Sequence, residues 1–343
     1  MEYINDININ EAVLHILDGN AGEPILNEYL LDLGEDTYKF LYKHIEKCLK
    51  DEELKYAKFN EVRSIVKEVT QDYLNGIDND LIKLSKELAR QMFAIMKGNT
   101  NISSCDLIVA SIVTDKGPMI AILKMDYIKN FTHKVDFIDN KIGIGIVPQS
   151  AGLPGSTKKI SKAAFIKPIR KEEKYNLMVL DKQRNKSDEY GANYWNNNFL
   201  DCNVITNERD STKILLTAVE SWTRDRFSED AEQAENVRTT LKNKMIEEEV
   251  IKVDELADDL FKHEENIKKD FKEFIKTQGV EEIEVDKVYI EKKSEKRRLK
   301  LENEIDLTIP TEIYNDSSKF EILKNGDGSV NILIKHIKNY VEK

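Results

Sequence analysis

The sequence predicts a two-domain protein of the α+β class, with an antiparallel sheet and packed helices in its N-terminal domain. Apolar residues recur at helical spacing over about the first hundred residues, and strand-length apolar runs separated by turn residues follow them. Further along the chain, helical periodicity returns and then gives way to strands. The expected domains are residues 1–187 and residues 188–343, the second built from acidic helices followed by β-strands.

The segment up to residue 102 is predicted to be mostly helical. An opening strand is expected at 7–17, followed by helices at 35–49 and 80–96, where apolar side chains recur with the period of an α-helix. Each of these helices needs an apolar surface to cover. The strands predicted after residue 105 supply that surface.

A β-hairpin is predicted over residues 106–127. Two apolar runs flank the turn residues Asp115, Lys116 and Gly117, and Pro118 can only open the second strand because it has no N–H for the ladder. Turns rich in glycine, proline or charge separate the runs that follow. Further strands are expected at 141–147, 163–169 and 175–180.

The C-terminal block combines helices and strands. Helices are predicted at 211–227 and 230–250, and a third begins at the N-cap Asp254, continues to Ile275 and stops at Gly279. After Gly279 the apolar period becomes that of strands. These strands are expected at 283–285, 288–290, 305–309, 320–323 and 330–337.

A cytoplasmic location is expected. No stretch of the chain reaches the roughly 20 apolar residues that span a bilayer. The first residues also lack the basic and apolar regions of a secretory signal. No membrane partner is therefore expected.

No cofactor or metal site is expected. Gly143 and Gly145 are not followed by the third glycine and the helix of a dinucleotide-binding loop. The favoured interpretation is a strand that contains glycine. Cys48, Cys105 and Cys202 show no C-x-x-C spacing and are expected to be reduced, buried thiols. The histidines are dispersed and support neither a zinc site nor a catalytic triad: His15, His44, His133, His263 and His336.

The net charge of −11 is unevenly distributed along the chain. Residues 228–286 contain 19 acidic and 9 basic residues, whereas residues 158–186 contain ten basic residues against three acidic ones. A second basic cluster covers residues 292–300. Because the local potential governs association at a surface, the total charge does not exclude a polyanionic partner.

An acid and a lysine on neighbouring strands raise the question of a metal-dependent nuclease. Such sites use carboxylates to hold Mg²⁺ beside a charged base, and Asp106, Lys124 and Asp126 supply these groups. The usual pattern, however, has an acid two residues before the lysine, and here that residue is Ile122. Lys124 and Asp126 lie on the same face of a strand, so an ion pair between them is the favoured interpretation.

Four aromatic residues lie near the basic segment. They could stack on the bases of a single strand, or they could pack in a core. The spacing of Tyr194, Trp195 and Phe199 is that of a helix packing into a core, which is favoured. The four residues are Tyr175, Tyr190, Tyr194 and Trp195.

With these elements in place, the chain resembles the bacterial nucleoid-associated protein family known as NdpA or YejK. The resemblance rests on the order of several motifs over nearly the whole chain. Lys124, Asp126 and Tyr127 belong to one of them. The motifs are ILDGNAGEPILNEYLLDL near the N-terminus, ILKMDY closing the hairpin, KAAFI at 162–166, LMVLDKQ leading into YWNNNFLDC at 194–202, and IDLTIPTEIYN and NGDGSVNILIKHI near the C-terminus.

The resemblance implies a DNA-binding role at the bacterial nucleoid without a defined catalytic activity. Lysine and arginine contacts to phosphates give affinity that does not depend on sequence, and the chain has no signature of a base-reading motif. The expected contacts are therefore with the DNA backbone, through a basic surface and an auxiliary C-terminal cluster. The residues are Lys158, Lys159, Lys162, Lys167, Arg170, Lys171 and Lys174, with Lys292, Lys293, Arg297 and Arg298 as the auxiliary cluster.

Alternatives to this assignment stay open at the level of sequence. The lysines could form only a solvated face, and the acidic helices could dock a basic protein at the nucleoid or simply keep the surface soluble. Double-stranded DNA is the expected partner, with single-stranded DNA or RNA as alternatives. A homodimer is also left open.

Overall fold

The computed structural model describes residues 2–138, 141–183, 193–300, 305–327 and 329–339. The chain divides into two compact units, Glu2–Ile205 and Thr206–Lys343. The boundary expected between residues 187 and 188 lies outside the described residues. The observed division comes later because the segment from Tyr194 to Ile205 packs into the core of the first unit and adds a strand to its sheet.

An antiparallel sheet of seven strands organises the described part of the first unit, with the strand order β1-β3-β4-β7-β8-β2-β9. Two further strands, β5 and β6, pair with each other. The strands are β1 (Ile7–Leu17), β2 (Lys55–Phe59), β3 (Cys105–Thr114), β4 (Gly117–Asp126), β5 (Ile128–Ile138), β6 (Lys141–Gly152), β7 (Lys162–Ile166), β8 (Leu177–Asp181) and β9 (Cys202–Ile205).

The predicted hairpin is formed by β3 and β4. Gly117 adopts φ +99° in the turn, a conformation that favours glycine. Pro118 opposes Val113 at the start of the second strand, as its missing N–H requires. The prediction of 141–147 as a strand is also confirmed, but its partner strand β5 was not anticipated because it follows β4 after a single residue.

Helices cover this sheet. They are α1 (Glu35–Leu49), α2 (Ile65–Leu74) and α3 (Leu81–Gly98), together with a π-helical segment, Trp195–Leu200. Ser64 and Asp80 cap α2 and α3 by accepting hydrogen bonds from backbone N–H groups of the first turn. Consecutive residues 119–125 of β4 are buried, so both faces of the sheet are covered at its centre.

The second unit has an apolar core of helices with small two-stranded sheets. Its helices are α4 (Glu208–Arg226), α5 (Ala231–Glu247), α6 (Val253–Leu260), α7 (Glu265–Thr277), α8 (Lys287–Ser294) and α9 (Thr311–Tyr314). Its strands are β10 (Val250–Lys252), β11 (Glu282–Glu284), β12 (Lys296–Lys300), β13 (Asp306–Pro310), β14 (Phe320–Lys324) and β15 (Val330–Ile334). They pair as β10-β11, β12-β13 and β14-β15.

Two predictions for the second unit were wrong. The single helix expected from Asp254 to Ile275 is broken into α6 and α7, because folding back lets both apolar stripes pack around Trp222. The strand expected at 288–290 lies within α8. Its N-terminus is capped by Asp286, whose carboxylate accepts a hydrogen bond from the N–H of Tyr289.

The three cysteines are free and buried, as predicted. Burial raises the pKa of the Cys48 and Cys105 thiols to about 12, so these side chains stay protonated at neutral pH. Within the described residues, no helix is long and apolar enough to cross a membrane.

His15 gives the first unit a pH dependence. Its ring is buried, accepts a hydrogen bond from the N–H of Asn27, and lies 2.9 Å from Ser85 Oγ. Desolvation, assisted by Lys86 and Arg90, lowers its pKa to about 4. His15 is therefore neutral in the folded state at pH values where it is already protonated in the unfolded state. The stability that His15 contributes above pH ~6.5 is lost as the pH falls toward 4.

We expect the free energy of unfolding of this unit to fall by about 2–3 kcal/mol between pH 7 and pH 4.5 through His15 alone. Urea unfolding of His15→Gln and its parent, both in a Trp222→Phe background so that Trp195 fluorescence reports this unit, measures the difference. The two proteins should converge as the pH is lowered. An equal loss of stability in both would contradict this role of His15.

Candidate nucleic-acid interface

The predicted basic surface at 158–174 is divided by a strand of the central sheet. All five residues of β7 are buried between β4 and β8. Lys158 and Lys159 precede this strand, and Arg170, Lys171 and Lys174 follow it. Since five strand residues extend about 17 Å, the two groups lie at opposite ends of β7 and cannot form one continuous patch.

Two of the lysines expected at that surface are inside the protein. Lys162 is fully buried and forms an ion pair with Asp181, and its ammonium lies 4.7 Å from the ring centre of Tyr194. Lys167 is 6% exposed and lies 3.5 Å from carboxylate oxygens of both Glu2 and Glu173. Both ammonium groups are held in ion pairs and are largely shielded from solvent.

Helix α1 supplies lysines that the sequence did not single out. Lys39, Lys43, Lys47 and Lys50 recur at intervals of four, four and three residues, which places them on one face of the helix, and all four are exposed. Helical spacing could have revealed this stripe. Charge counted along the chain does not reveal it, because α1 also contains acidic residues.

This stripe is joined to the loop that carries Lys158 and Lys159. The Lys47 ammonium donates a hydrogen bond of 2.6 Å to the Ser156 carbonyl, and buried His44 donates one of 3.1 Å to the Pro154 carbonyl. We call the joined surface the α1 basic surface. Its residues are Lys39, Lys43, Lys47, Lys50, Lys158 and Lys159, with Glu46 paired to Lys50 and Asp51 placed 3.9 Å from Lys159.

The group after β7 lies beside α2. Gln71 of α2 donates to the Lys167 carbonyl and accepts from the N–H of Ile169, which holds the loop against the helix. Arg170, Lys171 and Lys174 are exposed there. They form a separate and smaller basic group.

The C-terminal basic cluster is also only partly exposed. Arg297 is 9% exposed, forms an ion pair of 3.0 Å with Glu235, and lies 3.9 Å over the ring of Tyr314. Arg298 points to the opposite side of β12, where it is exposed together with Lys296 and Lys300. Lys292 and Lys293 are exposed at the end of α8, and Lys293 donates to the hydroxyl of Tyr289.

Three of the family motifs meet in a buried ionic cluster at one end of the sheet. Lys124 of β4 lies opposite Lys162 of β7, which in turn lies opposite Asp181 of β8. Lys124 is 1% exposed and forms the predicted ion pair with Asp126. Desolvation lowers the pKa of Lys162, and the hydrogen bond that it donates to Asp181 opposes this shift.

The groups proposed for a nuclease are held in other contacts, and Asp106, which opposes Met125, lies on the other face of the sheet from Lys124 and Asp126. Lys124 is held by Asp126, and Asp106 accepts a hydrogen bond of 2.8 Å from the hydroxyl of Tyr127. Burial raises the pKa of Asp106, while that hydrogen bond opposes the increase. Among the residues that the structure describes, no group of three acidic, histidine or cysteine side chains is placed to hold a metal ion.

The aromatic residues near the basic segment lie in the core. Trp195 and Phe199 are fully buried, and Tyr194 and Tyr175 are 6% and 4% exposed, which confirms the core interpretation for the helical set. Tyr175 stacks on Tyr56 at 3.8 Å. Tyr190 lies outside the described residues. The buried rings are therefore unavailable to stack on nucleic-acid bases.

The acidic helices of the second unit satisfy part of their charge internally. Asp254 and Asp258 of α6 form ion pairs with Lys272 of α7, and Asp258 also pairs with Lys268. Asp259 pairs with Lys244 of α5. These contacts link the helices to one another and leave less unpaired negative charge for a basic partner.

The Lys162–Asp181 pair can be tested by removing one or both charges. Lys162→Met leaves Asp181 buried without its partner, so we expect the first unit to lose about 3–5 kcal/mol of its free energy of unfolding. The double variant Lys162→Met/Asp181→Leu should recover most of that loss. Urea unfolding in the Trp222→Phe background, followed by Trp195 fluorescence, measures both. A single variant as stable as its parent would contradict the role assigned to this pair.

Comparison with known proteins agrees with these motifs. The family model of nucleoid-associated protein YejK matches residues 13–342, which is nearly the whole chain. No curated protein matches the chain. The family match includes the hairpin, the ionic cluster and the C-terminal strands, and the chain therefore belongs to the family of nucleoid-associated protein YejK.

Proposed function

We propose that this nucleoid-associated protein binds the backbone of double-stranded DNA through the α1 basic surface. The observation that carries the proposal is the stripe of four exposed lysines on α1, joined by Lys47 and His44 to the loop of Lys158 and Lys159. Membership of the family supports a role at the nucleoid.

The spacing of the stripe suits a polyanionic backbone. Lysines four residues apart on a helix are separated by about 6 Å along its axis, so Lys39, Lys43 and Lys47 present charges at regular intervals. Ammonium groups on flexible side chains neutralise phosphates and release counterions without reading bases. The proposed contact is therefore independent of DNA sequence.

The other basic groups are assigned an auxiliary contact or no contact with DNA. Arg170 and Lys171 lie at the far end of β7 and are assigned no direct contact. The exposed side chains of β12, with Arg298 among them, are proposed as an auxiliary contact in the second unit. Buried Lys162, Lys167 and Arg297 have structural roles only.

Paired charge reversals test the proposed surface. Lys43→Glu/Lys158→Glu should lower duplex affinity at least tenfold at about 0.1 M salt and reduce the slope of log K against log salt by about two, because two phosphate contacts are lost. Fluorescence anisotropy with a duplex of random sequence, titrated at several salt concentrations, measures both quantities.

The matched control is Arg170→Glu/Lys171→Glu, which changes the net charge by the same amount at the opposite end of β7. It should keep the salt slope of the parent and lose affinity only through the weaker long-range repulsion. Equal losses in the two variants would show that total charge, and not the α1 basic surface, governs binding. Unchanged affinity in Lys43→Glu/Lys158→Glu would refute the site.

A further inference from the structure

The hairpin of β5 and β6, which we call the arm (Ile128–Gly152), stands apart from the central sheet. β5 follows β4 after Tyr127, and the chain returns through β6 to the loop before β7. The arm is thus an insertion between β4 and β7, two neighbouring strands of the sheet. In the described residues β5 and β6 pair only with each other.

The two faces of the arm differ in chemistry. Directly opposed residues of an antiparallel pair share a face, so the register places one apolar set together. This apolar face consists of Phe131, Val135 and Phe137 from β5, with His133 among them, and Ile142, Ile144, Ile146 and Pro148 from β6. The opposite face contains Thr132, Lys134 and Asp136 across from Val147, Gly145 and Gly143, and Lys134 forms an ion pair with Asp136.

Among the residues that the structure describes, none covers the apolar face. Phe131 and Phe137 are 71% and 76% exposed, and Ile144 and Ile146 are 74% and 79% exposed. A contiguous apolar patch of this kind is unusual on a monomer and marks an interaction surface. An isolated two-stranded hairpin is also only marginally stable in water, so the arm needs a surface to pack against.

We propose that the apolar face of the arm binds the same face of a second copy of this chain. The six large apolar side chains expose on the order of 700 Å², close to the about 800 Å² that each partner buries in an interface of standard size. A two-fold axis brings the same patch of both copies together, and here that patch contains no lysine, arginine or carboxylate. Two such faces meet without burying an unpaired lysine or carboxylate.

DNA is a poorer partner for this face. A ribbon that binds the phosphate backbone presents lysine or arginine, whereas Lys134 lies on the opposite face and is paired with Asp136. The inference does not depend on the function proposed for α1. Self-association and DNA binding are therefore measured separately.

Sedimentation velocity of the full chain from about 1 to 100 µM tests the inference. The parent should show a concentration-dependent dimer. Ile144→Asp, which places a carboxylate in the apolar face, should raise the dimer dissociation constant at least about a hundredfold. The matched control Thr132→Asp adds the same charge to the opposite face and should leave the dimer unchanged.

Three outcomes would overturn the inference: a parent that is monomeric throughout, an Ile144→Asp variant that dimerises like the parent, or a Thr132→Asp variant that dissociates as readily as Ile144→Asp. Trp195 fluorescence should confirm that both variants keep the folded core, since the arm lies outside it. Loss of DNA affinity by Ile144→Asp in a chain that is monomeric would assign the face to DNA instead.

Discussion

β7 lies in the middle of the sheet, where the buried pair of Lys162 and Asp181 links it to β8, and the arrangement of surface charge follows from that position. A lysine inside an apolar sheet is tolerated only with a hydrogen-bonded counter-charge, and Asp181 on the neighbouring strand supplies it. With β7 held there, the basic residues before and after it are directed to opposite ends of the strand. The segment that is most basic in sequence is consequently divided between two separate surfaces.

The ionic cluster, the base of the arm and the loop that contacts α1 lie at the same end of the sheet. The ionic cluster of Lys124, Asp126 and Lys162 closes the sheet where the arm leaves it, and the loop after the arm returns along α1. Lys158 and Lys159 of the α1 basic surface therefore follow the end of the arm closely in sequence. A dimer formed through the arm would carry two copies of that surface, which is a simple way for one protein to hold two DNA segments.

Much of the fold was predictable because its local signals are strong. The bounds expected for β1 and α1 match the structure, and the β3–β4 hairpin follows from its turn chemistry and apolar runs. The break between α6 and α7 was not predictable from periodicity, because one apolar stripe continues through both helices. Only the three-dimensional packing around Trp222 shows that the stripe folds back on itself.

The candidate site was less predictable than the fold. Charge counted along the chain cannot distinguish Lys158, which is exposed, from Lys162, which is buried beside Asp181. A basic residue in an apolar strand such as KAAFI is a signal of an internal ion pair, and the LMVLD strand supplies its partner. The α1 stripe combines with the 158–159 loop only through tertiary contacts, and these could not be inferred from sequence.

Lysine footprinting tests the location of the DNA contact most directly. The full chain is acetylated with a water-soluble ester, with and without a saturating DNA duplex, and the modification of each lysine is measured by mass spectrometry. We expect Lys43, Lys47 and Lys158 to become several-fold less reactive when DNA is bound, while Lys171 and Lys174 are unchanged. Protection of Lys171 and Lys174 with none at Lys43 or Lys158 would contradict this expectation.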